Sequence, residues 1–268
     1  MLFAEIAIYV ILLSMLGVAL VQYYMDGNRL HLGDGTPFLG RIRPEYKEIL
    51  EQHFDYYKRL SSKDKIRFEA RVQTFIDNKQ FLPRNLPEVT AEMKALISAC
   101  AIQLSFGLPP IILQHFQRIV VYPDNYYSAI NKQYHRGEVN PHMGIIVLSW
   151  RGFVEGYIDP TDSMNLGLHE MAHALHFENK ILNGEEDFLE PRLLERWNQL
   201  ASREIEKMHS GVPGFFRQYA ASNEMEFFAV AIENFFEKPL AMQEMLPDVY
   251  SCLSEMLKQN PVSDLERV

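Results

Sequence analysis

The sequence predicts an α+β chain that is mostly helical, with a small β-sheet, held to a membrane by an N-terminal helix. Three observations carry that prediction. Residues 2–24 are almost continuously apolar, most of residues 43–260 repeat apolar side chains at helical spacing, and two short apolar runs, "RIVVYP" and "GIIVLSW", stand ahead of a histidine-rich segment. Short apolar runs of that kind, β-branched and bounded by Pro or Gly, read as strands.

The elements follow in order. Between Leu2 and Tyr24 only Glu5 carries a charge, and about 20 apolar residues in a helix cross a bilayer. Residues 1–25 are therefore expected to form a single-pass membrane anchor, and "MDGNRLHLGDGTPFLG" makes 26–42 a linker. The basic residues Arg29, Arg41, Arg43 and Lys47 come after the span, which puts the domain of residues 43–268 on the cytoplasmic side. Helices are expected over 44–60 and 61–80. In the second, Ser61 or Ser62 caps and Ile66, Phe68, Val72, Phe75 and Ile76 form the apolar stripe. Thr90 opens a more buried helix that Gly107 closes. After the strand "GIIVLSW" (144–150), the stretch "RGFVEGYIDPTDS" reads as a loop, followed by a helix over about 163–179 and an Asn183-Gly184 turn. Helices over 190–210 and 222–238 come next, and a last one runs from about 241 to 259, before Pro261.

At 268 residues the chain can hold one sizeable domain or two small ones, and a formal charge of −9 with scattered Lys and Arg offers no footprint for a phosphate backbone. Direct nucleic-acid binding is excluded on that ground. Cys100 and Cys252 lie far apart in apolar helical surroundings, so both are expected to be buried thiols.

The chemistry concentrates in "LHEMAHALHFEN" (168–179), where His169-Glu170-Met171-Ala172-His173 matches HExxH. Residues four apart on a helix are separated by about 40° around the axis and about 6 Å along it, so both imidazoles can grip one ion. Glu170 then lies beside that ion, able to take a proton from water without ligating. Imidazole ligands favour zinc, one ion per chain, and a catalytic site needs a third protein ligand. His176 does not qualify: it lies about 10.5 Å up the axis from His169, and no glycine breaks the helix between. It is assigned to the rim of the site or to a place behind the ligands. His115, His135 and His142 fit no ligand spacing and are expected at the surface. The third ligand is sought in "YAASNEMEFFAVAIENFF", where Glu226 and Glu233 share a face. Spacing alone leaves Glu226 divided between ligand and capping box with Asn223, and Glu233 between a surface carboxylate and an acceptor for a ligand imidazole.

"GIIVLSW", the Pro-Asp loop, "NLGLHEMAHAL", the Asn-Gly turn and "YAASNEMEFFAVAIENFFEKP" together resemble the Mlc titration factor A family of zinc-dependent peptidases. The resemblance implies a zincin-like fold with a glutamate third ligand, His169, His173 and Glu226 on the metal, Glu170 as general base and Tyr219 as donor to the transition state. Two departures stand out: His176 occupies a position where relatives carry Asp, and the best-known enteric members lack the N-terminal span. The expected function is zinc-dependent hydrolysis of peptide bonds in a peptide or protein substrate, with "GIIVLSW" a candidate edge for an extended chain. The alternative is a membrane-tethered zincin-fold protein that sequesters a regulatory protein partner with little hydrolysis.

Overall fold

The computed structural model describes residues 41–128, 133–158, 162–185 and 187–265. The expected anchor over 1–25 and nearly all of the linker lie outside these residues. No helix among the described residues is long and apolar enough to cross a membrane.

In chain order the elements are α1 (Pro44–His53), α2 (Asp55–Arg59), α3 (Ser62–Asp77), β1 (Gln80–Pro83), α4 (Ala91–Ser105), β2 (Arg118–Tyr122), β3 (Tyr126–Ser128), β4 (Gln133–His135), β5 (Gly137–Asn140), β6 (Ile145–Ser149), α5 (Trp150–Ile158), α6 (Leu166–Glu178), α7 (Pro191–His209), a 3₁₀ turn (Gln218–Ser222), α8 (Glu224–Glu237), α9 (Pro239–Met245), α10 (Pro247–Leu257) and α11 (Pro261–Leu265). Local chemistry sets many of these boundaries. The Ser61 and Thr90 side chains accept from the backbone N–H of Asp64 and Met93, each at 3.2 Å, satisfying donors that a helix start leaves orphaned. Proline, whose missing N–H costs nothing in the first turn, opens α1, α7, α9 and α10.

The sheet runs β1-β2-β6-β5. β1, β2 and β6 are parallel, and β5 is antiparallel to β6. Ile119, Val121, Ile146 and Leu148 join the main core, whereas Val120 and Val147 point the other way, against Tyr126. The β3–β4 hairpin therefore lies across the outer face of the sheet. Below the inner face, α4 and α6 are buried on nearly every side, which explains why neither shows a polar stripe.

Several expectations are corrected. The segment read as a loop after Ser149 is helix α5. Its two glycines do not mark flexibility: a Cβ on Gly156 would come within 2.9 Å of the Asn165 backbone, and one on Gly152 within 3.0 Å of Leu166. The Ser149 hydroxyl accepts from Gly152 N–H to start the helix. The final helix is divided at Leu246 by Pro247, because proline blocks helical continuation from the residue before it. Ile66 leaves the expected stripe and stands 70% exposed. "GIIVLSW" is no edge: β6 is paired on both sides, and the edge belongs to β5.

Candidate metal centre

Helix α6 begins at Asn165, whose side-chain oxygen accepts from Leu168 N–H at 3.0 Å. One turn on, His169 and His173 bring their Nε2 atoms to 3.1 Å from each other, with the rings crossed at 89°. Helix α8 is capped by Asn223, which accepts from Met225 N–H (2.9 Å) and Glu226 N–H (3.0 Å). Asn223 thus caps, while the Glu226 carboxylate faces the imidazoles: Oε2 lies 3.1 Å from His169 Nε2 and 3.6 Å from His173 Nε2. Among the described residues, His169, His173 and Glu226 are the group whose ligand atoms converge in this way.

Three lone-pair donors pointing at one another repel unless something positive sits between them. Glu233 shows where the His169 proton resides. Its Oε1 lies 2.7 Å from His169 Nδ1, and an ionised carboxylate only accepts, so Nδ1 carries the hydrogen and Nε2 presents a lone pair. Among the described residues, the buried Glu226 Oε2 has no hydrogen-bond partner apart from the Nε2 nitrogens of the two imidazoles. Ligands about 2.05 Å from a tetrahedral zinc lie about 3.3 Å apart, and the three observed separations straddle that figure. The donor set fits a divalent cation of the zinc type. Without one, a proton takes its place. Burial disfavours the charged His169 ring, yet the facing carboxylates of Glu226 and Glu233 outweigh burial and carry it up to about 10. Burial likewise opposes ionisation of Glu226, but the two imidazoles hold its carboxyl well below the usual range.

Glu170 is buried beside this cluster, and burial raises its carboxyl above the ordinary value against the pull of His169 and His173. It has room because residue 137 on β5 is glycine: a Cβ there would sit 2.4 Å from Glu170 Oε1. Tyr219, on the 3₁₀ turn, is 51% exposed, and its ring centroid lies 6.1 Å from that of His169. Partial burial, then the carboxylates of Glu226 and Glu170, push its phenol up to about 12.

A residue absent from the sequence reading completes the arrangement. Arg217 forks onto Glu233, donating from Nη1 to Oε2 at 3.1 Å and from Nη2 to Oε1 at 2.7 Å. The same guanidinium donates to the Ser163 carbonyl and lies 5.8 Å from the Tyr219 ring centroid. Glu233, 1% exposed, also accepts Asn165 N–H at 2.8 Å. One carboxylate thereby ties together the start of α6, the first histidine and the turn bearing Tyr219. Arg217 lies 16 residues before Glu233, so no helical or strand period links them; a lone arginine in "FFRQYAAS" was the available signal.

The other histidines stand apart. His176 contacts Lys180 at 2.8 Å and rests on Phe228, and burial followed by the Lys180 charge pushes it down to about 4. His142 is exposed, but His115 and His135 are half-buried, contrary to expectation. The His115 ring is tucked against the Pro141 carbonyl, and the His135 ring stacks near Tyr126.

Comparison with known proteins fits this geometry. The sequence matches the glucose-regulated metallo-peptidase M90 family over residues 39–258. An uncharacterized protein of Synechocystis sp. is 26% identical over 236 residues, 82% of this chain and 86% of the relative. Mlc titration factor A of Yersinia pestis and of Yersinia pseudotuberculosis is also 26% identical, over 78% of this chain and 82% of the relative. A match spanning most of the chain, with both motif helices inside it, leaves one conclusion: the chain belongs to the glucose-regulated metallo-peptidase M90 family and is a relative of Mlc titration factor A.

Proposed function

We propose that the chain is a zinc-dependent peptidase, with His169, His173 and Glu226 holding one zinc ion, Glu170 the general base and Tyr219 the donor to the oxyanion. The observation that supports this most is the convergence of three lone pairs within 3.1–3.6 Å beside a buried carboxyl. A zinc ion there supplies a water activated near neutral pH and Lewis-acid polarisation of the scissile carbonyl. Glu170 takes the proton of the attacking water and returns it to the leaving amine; its raised carboxyl suits a group that must accept and then release. Tyr219 keeps its proton across the physiological range and donates it as a hydrogen bond to the developing oxyanion. Glu233, braced by Arg217, holds the His169 ring in the tautomer that presents Nε2. β5, an edge strand of the sheet among the described residues, with Gly137 against Glu170, gives an extended substrate a strand to pair with next to the base.

Metal analysis of the purified protein beside its Glu226→Ala variant tests the ligand set. One equivalent of zinc in the first and far less in the second is expected; equal contents would remove Glu226 from it. A second reading, a protein that sequesters a regulator, draws on the name titration factor carried by the Yersinia relatives. Glu170→Gln separates the two: it should retain metal and lose hydrolysis, and a biological role that survived the change would favour sequestration. We also propose that residues 1–25 anchor the domain to the cytoplasmic face of a membrane. Full-length protein should then pellet with membranes after a carbonate wash, and the same protein lacking 1–25 should not.

A further inference from the structure

Asn165 and Leu168, at the start of α6, also line a cavity of ≈ 510 Å³ that the mechanism leaves unused. Its other walls come from the end of α1, α2 and the start of α3, from α4 and α5, from the C-terminal end of α8, and from the first residues of α9 and α11. Its size is typical of small-molecule sites, which span about 300–1,000 Å³. Three rings, Tyr56, Tyr157 and Phe236, contribute to the walls, with Tyr56 and Phe236 meeting edge to face at 6.2 Å.

The lining carries donors, among them Asn165 Nδ2 and the buried Tyr157 hydroxyl, and two buried acceptors that have no donor among the described residues, Gln103 Oε1 and Glu237 Oε2. Gln103 is 6% exposed. Glu237 Oε1 is engaged by Asn165 Nδ2 at 3.1 Å while its Oε2 is buried without a partner among the described residues, and burial pushes its carboxyl up to about 8, so that it takes up its charge when a positive group faces it. The two aspartates of the lining are already engaged, Asp55 by Lys58 and Asp64 by Arg67, and His53 and Arg59 are exposed. Among the described residues, the buried part of the lining holds no positively charged donor. Aromatic faces around a half-buried carboxyl favour an ammonium group over an anion or a neutral molecule of the same shape.

We propose that this cavity is a second, small-molecule site, taking an organic ammonium with an aromatic or branched apolar body and coupled to the metal centre through Asn165. The coupling follows a short chain of contacts. Asn165 Nδ2 holds Glu237, Asn165 N–H holds Glu233 Oε2 at 2.8 Å, and Glu233 Oε1 holds His169 Nδ1 at 2.7 Å. A ligand that draws on Glu237 Oε2 shifts the carboxyl that Asn165 holds by Oε1, and Asn165 N–H in turn holds the Glu233 carboxylate that orients the His169 ring.

Calorimetric titration of the full chain, treated with chelator so that no amine can coordinate metal, tests the site with 2-phenylethylamine as probe. The shape-matched 2-phenylethanol and 3-phenylpropionate serve as controls. The amine should bind saturably, and both controls about tenfold more weakly or worse. Glu237→Gln should weaken the amine by about tenfold, and Leu60→Trp, which fills the cavity from its lining, should abolish binding. No saturable binding, equal binding of all three probes, or an isotherm unchanged in both variants overturns the site. Coupling is read separately, as a change in zinc affinity when the wild-type protein is saturated with amine that is absent in Glu237→Gln; an unchanged affinity overturns it. The cavity isotherm needs no peptidase activity, so its failure is distinct from failure of the proposed function.

Discussion

Near its C-terminal end α6 buries Glu178 completely, and that carboxylate accepts the backbone N–H of His115 at 3.1 and 3.2 Å and an N–H of Asn183. Near its start the same helix buries His169 and His173, where the lone pairs of two imidazoles and of Glu226 face one another and Glu226 Oε2 has, among the described residues, no partner besides those imidazoles. Both regions hide costly polar groups in a hydrophobic core. One is closed, since its acceptors have found donors; the other is open, its valences directed at a point. Burial of a charge therefore says little by itself, and whether its partners are complete separates a brace from a site.

The largest expected effect comes from emptying the open end. On the proposed reading, chelation abolishes hydrolysis and leaves the cluster dependent on a proton. In that metal-free chain the folded His169 pKa of about 10 lies above its ordinary 6.5, so its stabilising share is complete below about 6.5 and fades as pH rises towards 10. Glu226 is depressed from 4.5, so its share is complete above about 4.5 and fades as pH falls. Thermal melts of metal-free protein should show the cluster contributing most between these limits, with zinc adding progressively more stability above pH 6.5. A zinc increment that did not grow with pH would contradict this account.

Next in size is Glu170→Gln, which keeps shape and burial while removing the proton acceptor. A fall of about 10²–10⁴ in kcat is expected, with unchanged zinc content and melting temperature. Tyr219→Phe should cost about 10²–10³ in kcat. Because Tyr219 is half exposed, no loss of stability should accompany it, and a large drop in Tm would assign the residue to packing. Arg217→Met should weaken zinc by about 10–100-fold, the usual cost of removing a group behind a metal-binding histidine. Lysine at 217 should restore that only in part, since it cannot reproduce a two-pronged contact with Glu233.

The contrast between the regions also explains what could be read in advance. Caps and proline starts are local chemistry, so Ser61, Thr90 and Asn223 marked their helices from the sequence. The residues of HExxH lie one turn apart, and that period is visible in any chain that has it. Helix α5 escaped because Gly152 and Gly156 look like loop residues, while their real cause, the approach of Asn165 and Leu166, is tertiary. The edge strand β5, "GEVN", carries a single large apolar side chain and shows no strand signal. The bond between Arg217 and Glu233 joins a turn to a later helix, a relation with no period at all. Glu226 was undecided between cap and ligand for a related reason: Asn223 caps the helix whichever way the Glu226 carboxylate turns, so the pattern of the cap held no information about the carboxylate.

The smallest effect belongs to the closed end. Glu178→Gln keeps the size of the side chain but replaces one acceptor by an NH₂, which then faces the His115 N–H or the Asn183 amide, donor against donor. The loop it braces is also held by Glu185, which accepts Ile112 and Gln114 N–H at 2.9 Å each, and by Lys79, which donates to the Leu113 carbonyl at 2.6 Å. With those contacts left, the loop stays in place and the cost is that of one buried hydrogen bond turned unfavourable, about 1–3 kcal/mol. Tm should fall by roughly 2–4 °C per kcal/mol, while zinc content and kcat per folded molecule stay as they were. Loss of activity without loss of stability would mean that the two ends of α6 are not independent, and that Glu178 reaches the metal centre through the helix between them.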